Sequence, residues 1–294
     1  ILAWFACLPS VFIILGNLLR AEGSPVISGT AVIVSAITNI ILDPILIFGF
    51  GPIPRMEVAG AALATVIGHS MGICVFLYHF LKGRSAYHFG IRNLLPSIKI
   101  ISEIYRAGVA SIFRMGALAV VMALANTIAA SFGVIPLAVL GVVFRLARFA
   151  FMPTMGLGQG MLPLVGFNFG AQQKERVSEV VVKAGLLGFG WGLFCWLILM
   201  LFPAQVISAF NSDLRFIAEG VRALRIFVLL FFAVQLQIIV SFFFQGIGKG
   251  IPSFILSSAR QVIFLIPGLL ILPPLYGVVG LWMAFPIADI LSIL

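Results

Sequence analysis

The sequence predicts an all-α, polytopic helical membrane protein, and three observations predict it. The chain is 62% hydrophobic and only 9% charged, where an ordinary soluble domain carries about 25% charged residues. Its mean hydropathy is +1.21. Its apolar residues run continuously through nine segments of the length needed to span a bilayer, about 20 residues each. A transmembrane β-barrel would instead alternate over about 10 residues at a time.

The nine segments lie near 1–19, 25–50, 58–81, 107–131, 134–165, 184–208, 222–245, 251–272 and 276–294. The first ends at Arg20 and the second opens at Pro25 and contains Pro44. The third begins with the small residues of VAGAALATVIG and closes on Lys82 and Arg84. Gly133 separates the fourth from the fifth, Lys174, Arg176 and Lys183 follow the fifth, and Lys249 follows the seventh. The net charge of +9 is therefore concentrated in alternate connections. Arg84, Arg92, Lys99 and Arg106 mark 82–106, and the positive-inside rule places 82–106 and 174–183 as cytoplasmic loops. The basic residues report topology, and nucleic acid is excluded as a partner. Cys7, Cys74 and Cys195 all sit in apolar segments and offer no disulfide framework.

Asn39 and Asp43, in SAITNIILDPILIFGF, are acceptors one helical turn apart in an apolar span. A charged carboxylate at mid-membrane depth costs about 2.5–3.5 kcal/mol on insertion scales, so such a residue is a functional candidate. Pro44 follows directly, and kinked or broken helices near the midplane are where secondary transporters place coupling-ion sites. Positions i and i+4 share a helix face, and Ser35 extends the stripe. An oxygen-rich cluster of this kind suits a hard cation or an exchangeable proton. The competing structural reading is that both residues hydrogen-bond a neighbouring helix near the kink.

Internal repetition is the second informative feature. LDPILIFGFGPIPRMEVAGAALA at 42–64 resembles LIPGLLILPPLYGVVGLWMA at 265–284, matching Pro44 with Pro267 and Gly60 with Gly280. LLRAEGSP at 18–25 corresponds loosely to FFQGIGKGIP at 243–252. Two homologous halves are expected, and on that plan about 120 residues precede Ile1 and the last helix is cut short. Asp43 falls opposite Ile266, so the shared architecture does not itself require an acid there.

NIILDPILIFGFGP, VAGAALATVIG, MPTMGLGQGMLPLVGFNFGAQ and FFFQGIGKG resemble the multidrug and toxic compound extrusion (MATE) family, in the bacterial branch with the GLGQG…PLVGFNFGA signature. The resemblance covers the whole chain as helices four to twelve of twelve. It implies two pseudo-symmetric six-helix bundles around a central cleft. Residues 1–81 would be the remnant of the N-terminal lobe, 82–106 a cytoplasmic inter-lobe linker, and 107–294 the C-terminal lobe. It further implies a monomeric antiporter in the inner, plasma membrane that exports organic, cationic or amphipathic drugs in exchange for H+ or Na+. Such a protein is no enzyme and needs no cofactor. Asn39, Asp43 and Thr65 match the family's N-lobe cation site, with Na+ at Asp43 as the one metal implied; the site's helix-one acid has no counterpart in this sequence. The acidic cluster that other branches carry in the C-terminal lobe aligns here with Leu118 and Phe232, which favours coupling through Asp43. His69, one turn beyond Thr65, is either a proton-relay member or a packing residue.

The fifth span holds a different constellation. Arg145, Arg148, Met152, Met155, Gln159 and Pro163 fall within about 80° on a helical projection, and Arg114 adds a cation on the preceding span. Intramembrane charges usually face a bundle interior or a water-filled cavity, and methionines adapt to varied ligands. The stripe is a candidate substrate cleft. The alternative is that its arginines neutralise Asp289, bond backbone carbonyls or snorkel. Three arginines leave anionic and zwitterionic compounds open as substrates. A related flippase for lipid-linked or anionic precursors is the rival function.

Several motifs carry no chemistry. Gly156, Gly158 and Gly160 imitate a nucleotide loop without a preceding strand, and close helix packing through Gly156/Gly160 and Gly166/Gly170 is the better account. GIGKG at 246–250 lacks the spacing of a P-loop. No serine–histidine, zinc-protease or metal-ligand spacing appears. Gln235, Gln237 and Gln245 read as cleft-lining or helix-bonding residues.

Overall fold

The computed structural model describes residues 7–50, 54–83, 85, 97–249 and 259–293; at 103, 106–111, 113, 114 and 293 only the backbone is described. Helices α1 (Cys7–Ala21), α2 (Pro25–Phe48) and α3 (Glu57–Leu81) form one compact unit. The second unit contains α4 (Ile98–Ser131), α5 (Val134–Gly170), α6 (Lys174–Leu201), α7 (Pro203–Ser208), α8 (Leu214–Phe227) and α9 (Phe231–Gly246). It continues through a π-helical turn (Ala259–Leu265), α10 (Ile266–Tyr276) and α11 (Val278–Ile293). Each predicted span thus contains helix. Among the described residues five helical stretches are long and apolar enough to cross a membrane by themselves, and α8–α9 forms a sixth that bends by 48°. The protein is an all-helical, multi-pass membrane protein.

Helix boundaries depart from the expected ones where local chemistry decides them. The segment 174–183, expected as a loop, is the opening of α6. Glu179 and Lys183 pair at 2.6 Å one turn apart, so the exposed end continues as a helix beyond the apolar core. At 28 residues, α6 is about 42 Å long against a hydrocarbon layer of about 30 Å. The predicted span 184–208 breaks at Phe202, because Pro203 has no N–H for the Leu199 carbonyl and starts α7 instead. The predicted span 222–245 starts earlier, at Leu214, where the Asp213 carboxylate accepts the Arg215 and Phe216 N–H groups at 2.7 and 3.3 Å. Helix α4 begins at Ile98, within the segment 82–106; residues 84 and 86–96 of that segment lie outside the described residues.

The first unit is assembled by one face of α3. Gly60, Ala64, Gly68 and Gly72 recur every four residues, and all are buried. They run antiparallel along α2: a Cβ at Gly60 would strike the Leu46 carbonyl, one at Gly68 would sit 2.8 Å from the Ser35 oxygen, and one at Gly72 would sit 3.0 Å from the Ala31 oxygen. Without side chains in between, the two backbones approach to direct contact, the membrane equivalent of core packing. Phe12 of α1 fills the space beside Gly72 and stacks near Phe76 with ring centroids 5.4 Å apart. Leu19, Ala31 and Phe76 complete this core.

The second unit repeats the device. Helix α10 ends at Gly277 (φ 63°), as α2 ends at Gly49 (φ 81°), and a Cβ at Gly280 would strike the Leu272 carbonyl. The glycine match of the sequence repeat therefore corresponds to a shared contact. The proline match does not: pairing Leu46 with Leu272 places Asp43 opposite Leu269, not Ile266, because the connection is shorter in the second unit. Leu269 is fully buried and apolar, so the acid still has no counterpart. The main core of this unit gathers Leu140, Leu224, Phe231, Leu281 and Trp282.

If backbone contact holds α2 to α3, Gly60→Ala should destabilise the protein by about 1–3 kcal/mol, the usual cost of overpacking. Gly29→Ala, on the open side of α2 with nothing within 4 Å, should leave stability unchanged or slightly raised. Thermal unfolding of both variants in detergent measures this, and equal melting temperatures would contradict it.

Candidate functional site

Close packing of α3 on α2 brings three of the predicted residues together. The Gly68 position would hold a Cβ 3.4 Å from that of Asn39, so one turn away Thr65 meets Asn39. The Asn39 amide nitrogen donates to Asp43 Oδ1 and lies equally close to Thr65 Oγ1, both at 3.4 Å. With the amide turned over, it donates to Asp43 Oδ2 at 3.3 Å while its oxygen accepts the Thr65 N–H at 3.2 Å. In both orientations Asn39 donates to the carboxylate. The Thr65 hydroxyl proton is committed to the Ala61 carbonyl at 2.9 Å, so its oxygen is left to accept.

The resulting cluster is rich in acceptors and poor in donors. Among the described residues no cation pairs with Asp43, and its hydrogen bond comes from a neutral amide at a long distance. Pro44 has no N–H to give the Ile40 carbonyl, which adds an acceptor to this stretch of α2. A half-buried carboxylate held by long bonds is open to a competitor that binds it better, which a proton or a hard cation does. The chemistry of the donor set fits Na+ as well as H+, since carboxylate, amide and hydroxyl oxygens are all hard ligands. Ser35 is buried beneath the cluster. His69 Nδ1 donates to the Thr65 carbonyl at 2.8 Å, and its ring meets Phe12 edge-on at 5.1 Å. That bond keeps the proton of the neutral ring on Nδ1.

The α5 stripe takes a different form. Arg145, Arg148, Met152, Met155 and Gln159 all lie on the exposed side of α5 and Pro163 is half-buried. Neither arginine has an ion pair or hydrogen bond among the described residues. Asp289 is not their partner: it is 3% exposed and accepts Arg260 Nε at 2.5 Å. Arg114 falls on α4, where its side chain lies outside the described residues. Gly156 and Gly160 are open, with nothing within 4 Å, and the packing glycine is Gly158, whose Cβ would strike the Phe242 ring. The expected Gly156/Gly160 packing pair is thus an exposed strip, because α6 and α9 cover the opposite side of α5.

Sequence reasoning missed the Arg260–Asp289 pair. Its signal was present: opposite charges in consecutive apolar segments of a membrane protein usually seek each other. Arg260 lies in the π-helical turn ahead of Pro267, and Ser292 ties Asp289 to α9 through Gln237 at 3.5 Å. Gln235, fully buried, donates to the Ala150 carbonyl at 3.1 Å, which Trp191 also reaches at 2.9 Å. Gln245 is exposed. Leu118 is exposed, Phe232 packs on Phe189 and Trp196, and the described residues contain no group of three potential metal ligands.

The all-helical fold with its long apolar spans defines the class, a polytopic membrane protein, and the carboxylate–amide–hydroxyl cluster lies across α2 and α3. The chain belongs to the MatE family, whose sequence model matches residues 110–270. It is 26% identical over 282 residues to the multidrug export protein MepA of Staphylococcus haemolyticus, covering 95% of this chain and 60% of that protein. It is 29% identical over 285 residues to MepA of Staphylococcus aureus strain N315, covering 97% and 62%. A solved outward-facing multidrug resistance transporter of the MATE family superposes with a TM-score of 0.82 at 26% identity, covering 94% of this chain and 62% of that one. The chain spans about three fifths of the length of the curated relatives it matches.

Removing one member of the Arg260–Asp289 pair should be asymmetric. Arg260→Ala strands a carboxylate whose side chain is 4% exposed, whereas Asp289→Ala leaves a guanidinium that is 21% exposed. The first should cost about 3–5 kcal/mol and the second clearly less, with Arg260→Ala/Asp289→Ala recovering part of the loss. Thermal unfolding in detergent reads all three, and equal single losses would contradict the asymmetry.

Proposed function

We propose that this protein is a carrier, and not an enzyme, that exports small organic compounds across the bacterial inner membrane in exchange for H+ or Na+. The observation that carries this reading is the meeting of Asn39, Asp43 and Thr65 across α2 and α3 beside Pro44. The multidrug export proteins to which the chain is similar support the direction and the breadth of substrate. On this reading residues 1–81 belong to an N-terminal lobe, 82–106 form a cytoplasmic linker and 107–294 belong to a C-terminal lobe, in a protein that acts as a monomer.

The mechanism is alternating access. Binding of a proton or sodium ion neutralises Asp43 and removes the reason for Asn39 to hold it at long range. Helix α2 then adjusts at Pro44, where an intrahelical bond is already missing. Substrate affinity falls in a cleft bordered by Arg114, Arg145, Arg148, Met152, Met155 and Gln159, and release of the ion into the cytoplasm resets the carrier. A ligand shifts such an equilibrium only by its differential affinity for the two states, so the site must bind its ion more tightly in one of them.

The second reading, export of anionic or lipid-linked compounds, is favoured by one observation: Arg145 and Arg148 stand exposed on α5 without a partner among the described residues.

Asp43→Asn keeps the shape of the side chain and removes its charge. Vesicles driven by an imposed H+ or Na+ gradient should export a fluorescent organic substrate with the natural protein. The variant should insert normally and lose export at least about tenfold, equivalent to about 1.4 kcal/mol. Unchanged gradient-driven export would overturn the role of Asp43.

A further inference from the structure

We propose that the exposed strip of α5 binds the anionic group of an amphipathic substrate, with Arg145 and Arg148 as its counter-ions; this rests on the carrier reading. The two guanidinium groups are three residues apart, so their Cβ atoms are about 5–6 Å from each other and both can reach one carboxylate, sulfonate or phosphate. They lie well inside a helix of 37 residues, flanked by VIPLAVLGVVF on one side and by methionines on the other. A charge at that depth is retained when it faces water or a counter-ion.

Among the described residues of the unit, no acidic side chain pairs with either arginine. Its described acidic side chains are engaged elsewhere: Asp289 with Arg260, Glu219 with Trp282 Nε1 at 2.8 Å, Glu179 with Lys183, and Asp213 with the first N–H groups of α8. Glu175 stands in the first turn of α6.

The surface beside the arginines is shaped for an apolar body. Met152 and Met155 are 58% and 44% exposed, and Gly141, Gly156 and Gly160 have nothing within 4 Å. Bare backbone lets a flat ring system lie against the helix, flexible thioethers mould to it, and Gln159 supplies a polar end. From Arg148 to Gln159 the strip is about 17 Å long, the size of a multi-ring organic molecule. A purely cationic substrate would meet two unneutralised guanidinium groups, which is the wrong sign.

The test uses the protein in its full cellular form, purified in detergent and reconstituted in vesicles. The probes are carboxyfluorescein, ethidium as a cation of similar size, and a fluorescent phosphatidic acid as an anionic lipid. Carboxyfluorescein binding, read by anisotropy, should weaken at least tenfold in Arg145→Gln/Arg148→Gln and be largely restored in Arg145→Lys/Arg148→Lys. Ethidium binding should be unchanged or tighter in the Gln variant. Binding of ethidium alone, or carboxyfluorescein binding indifferent to the arginines, would overturn the proposal while leaving the carrier reading intact. Arginine-dependent binding without gradient-driven export would support the anion site and overturn the carrier reading instead. Arginine-dependent movement of the anionic lipid but not of carboxyfluorescein would support the anion chemistry with a lipid as its source. The Lys variant separates loss of charge from loss of fold.

Discussion

In hydrocarbon a backbone or side-chain polar group finds no water, and the protein alone must satisfy it. This constraint governs how the helices meet. Along α3, Gly60, Ala64, Gly68 and Gly72 present almost no side chain, so α3 lies directly on the carbonyls of Ala31, Ser35 and Leu46. That approach, and no local preference of the residues themselves, puts Thr65 within reach of Asn39. The acceptor cluster is a by-product of backbone packing. Widening the helix pair by the thickness of one methyl group would take the hydroxyl out of reach of the amide.

The same constraint sorts the polar residues of the second unit into two kinds. Some of those facing its interior are paired: Gln235 and Trp191 donate to the Ala150 carbonyl, and Arg260 holds Asp289. These bonds fix helix positions. The arginines of α5 face outward and have no partner among the described residues. Among the described residues Arg260 is paired with the deeply buried Asp289, whereas Arg145 and Arg148 have no partner.

Much of this was legible in the chain. Apolar runs of 20 residues can only be spans, and a carboxylate within one of them needs a reason to be there. Asn39, Asp43 and Thr65 were readable as a group because Asn39 and Asp43 share a helix face and the resemblance supplied Thr65. What failed were inferences about which side of a helix is covered. Gly156 and Gly160 have the spacing of a packing motif, yet Gly158, half a turn away, is the residue that meets Phe242. Pairing of Asp289 with the α5 arginines, one alternative the charges allow, does not occur, because Arg260 of the π-helical turn takes the acid.

Taken alone, the amino-acid sequence determined the class of the protein, the location of its spans and the presence of an acid where lipid would not tolerate one. These follow from composition and period, which act locally along the chain. Tertiary structure decided which polar groups meet: that Thr65 closes on Asn39, that Arg260 claims Asp289, and that the arginine stripe stays open. Helical periodicity gives each residue an angle about its own axis, but it contains nothing about which neighbour lies at that angle. Pairing depends on the close packing of several helices at once.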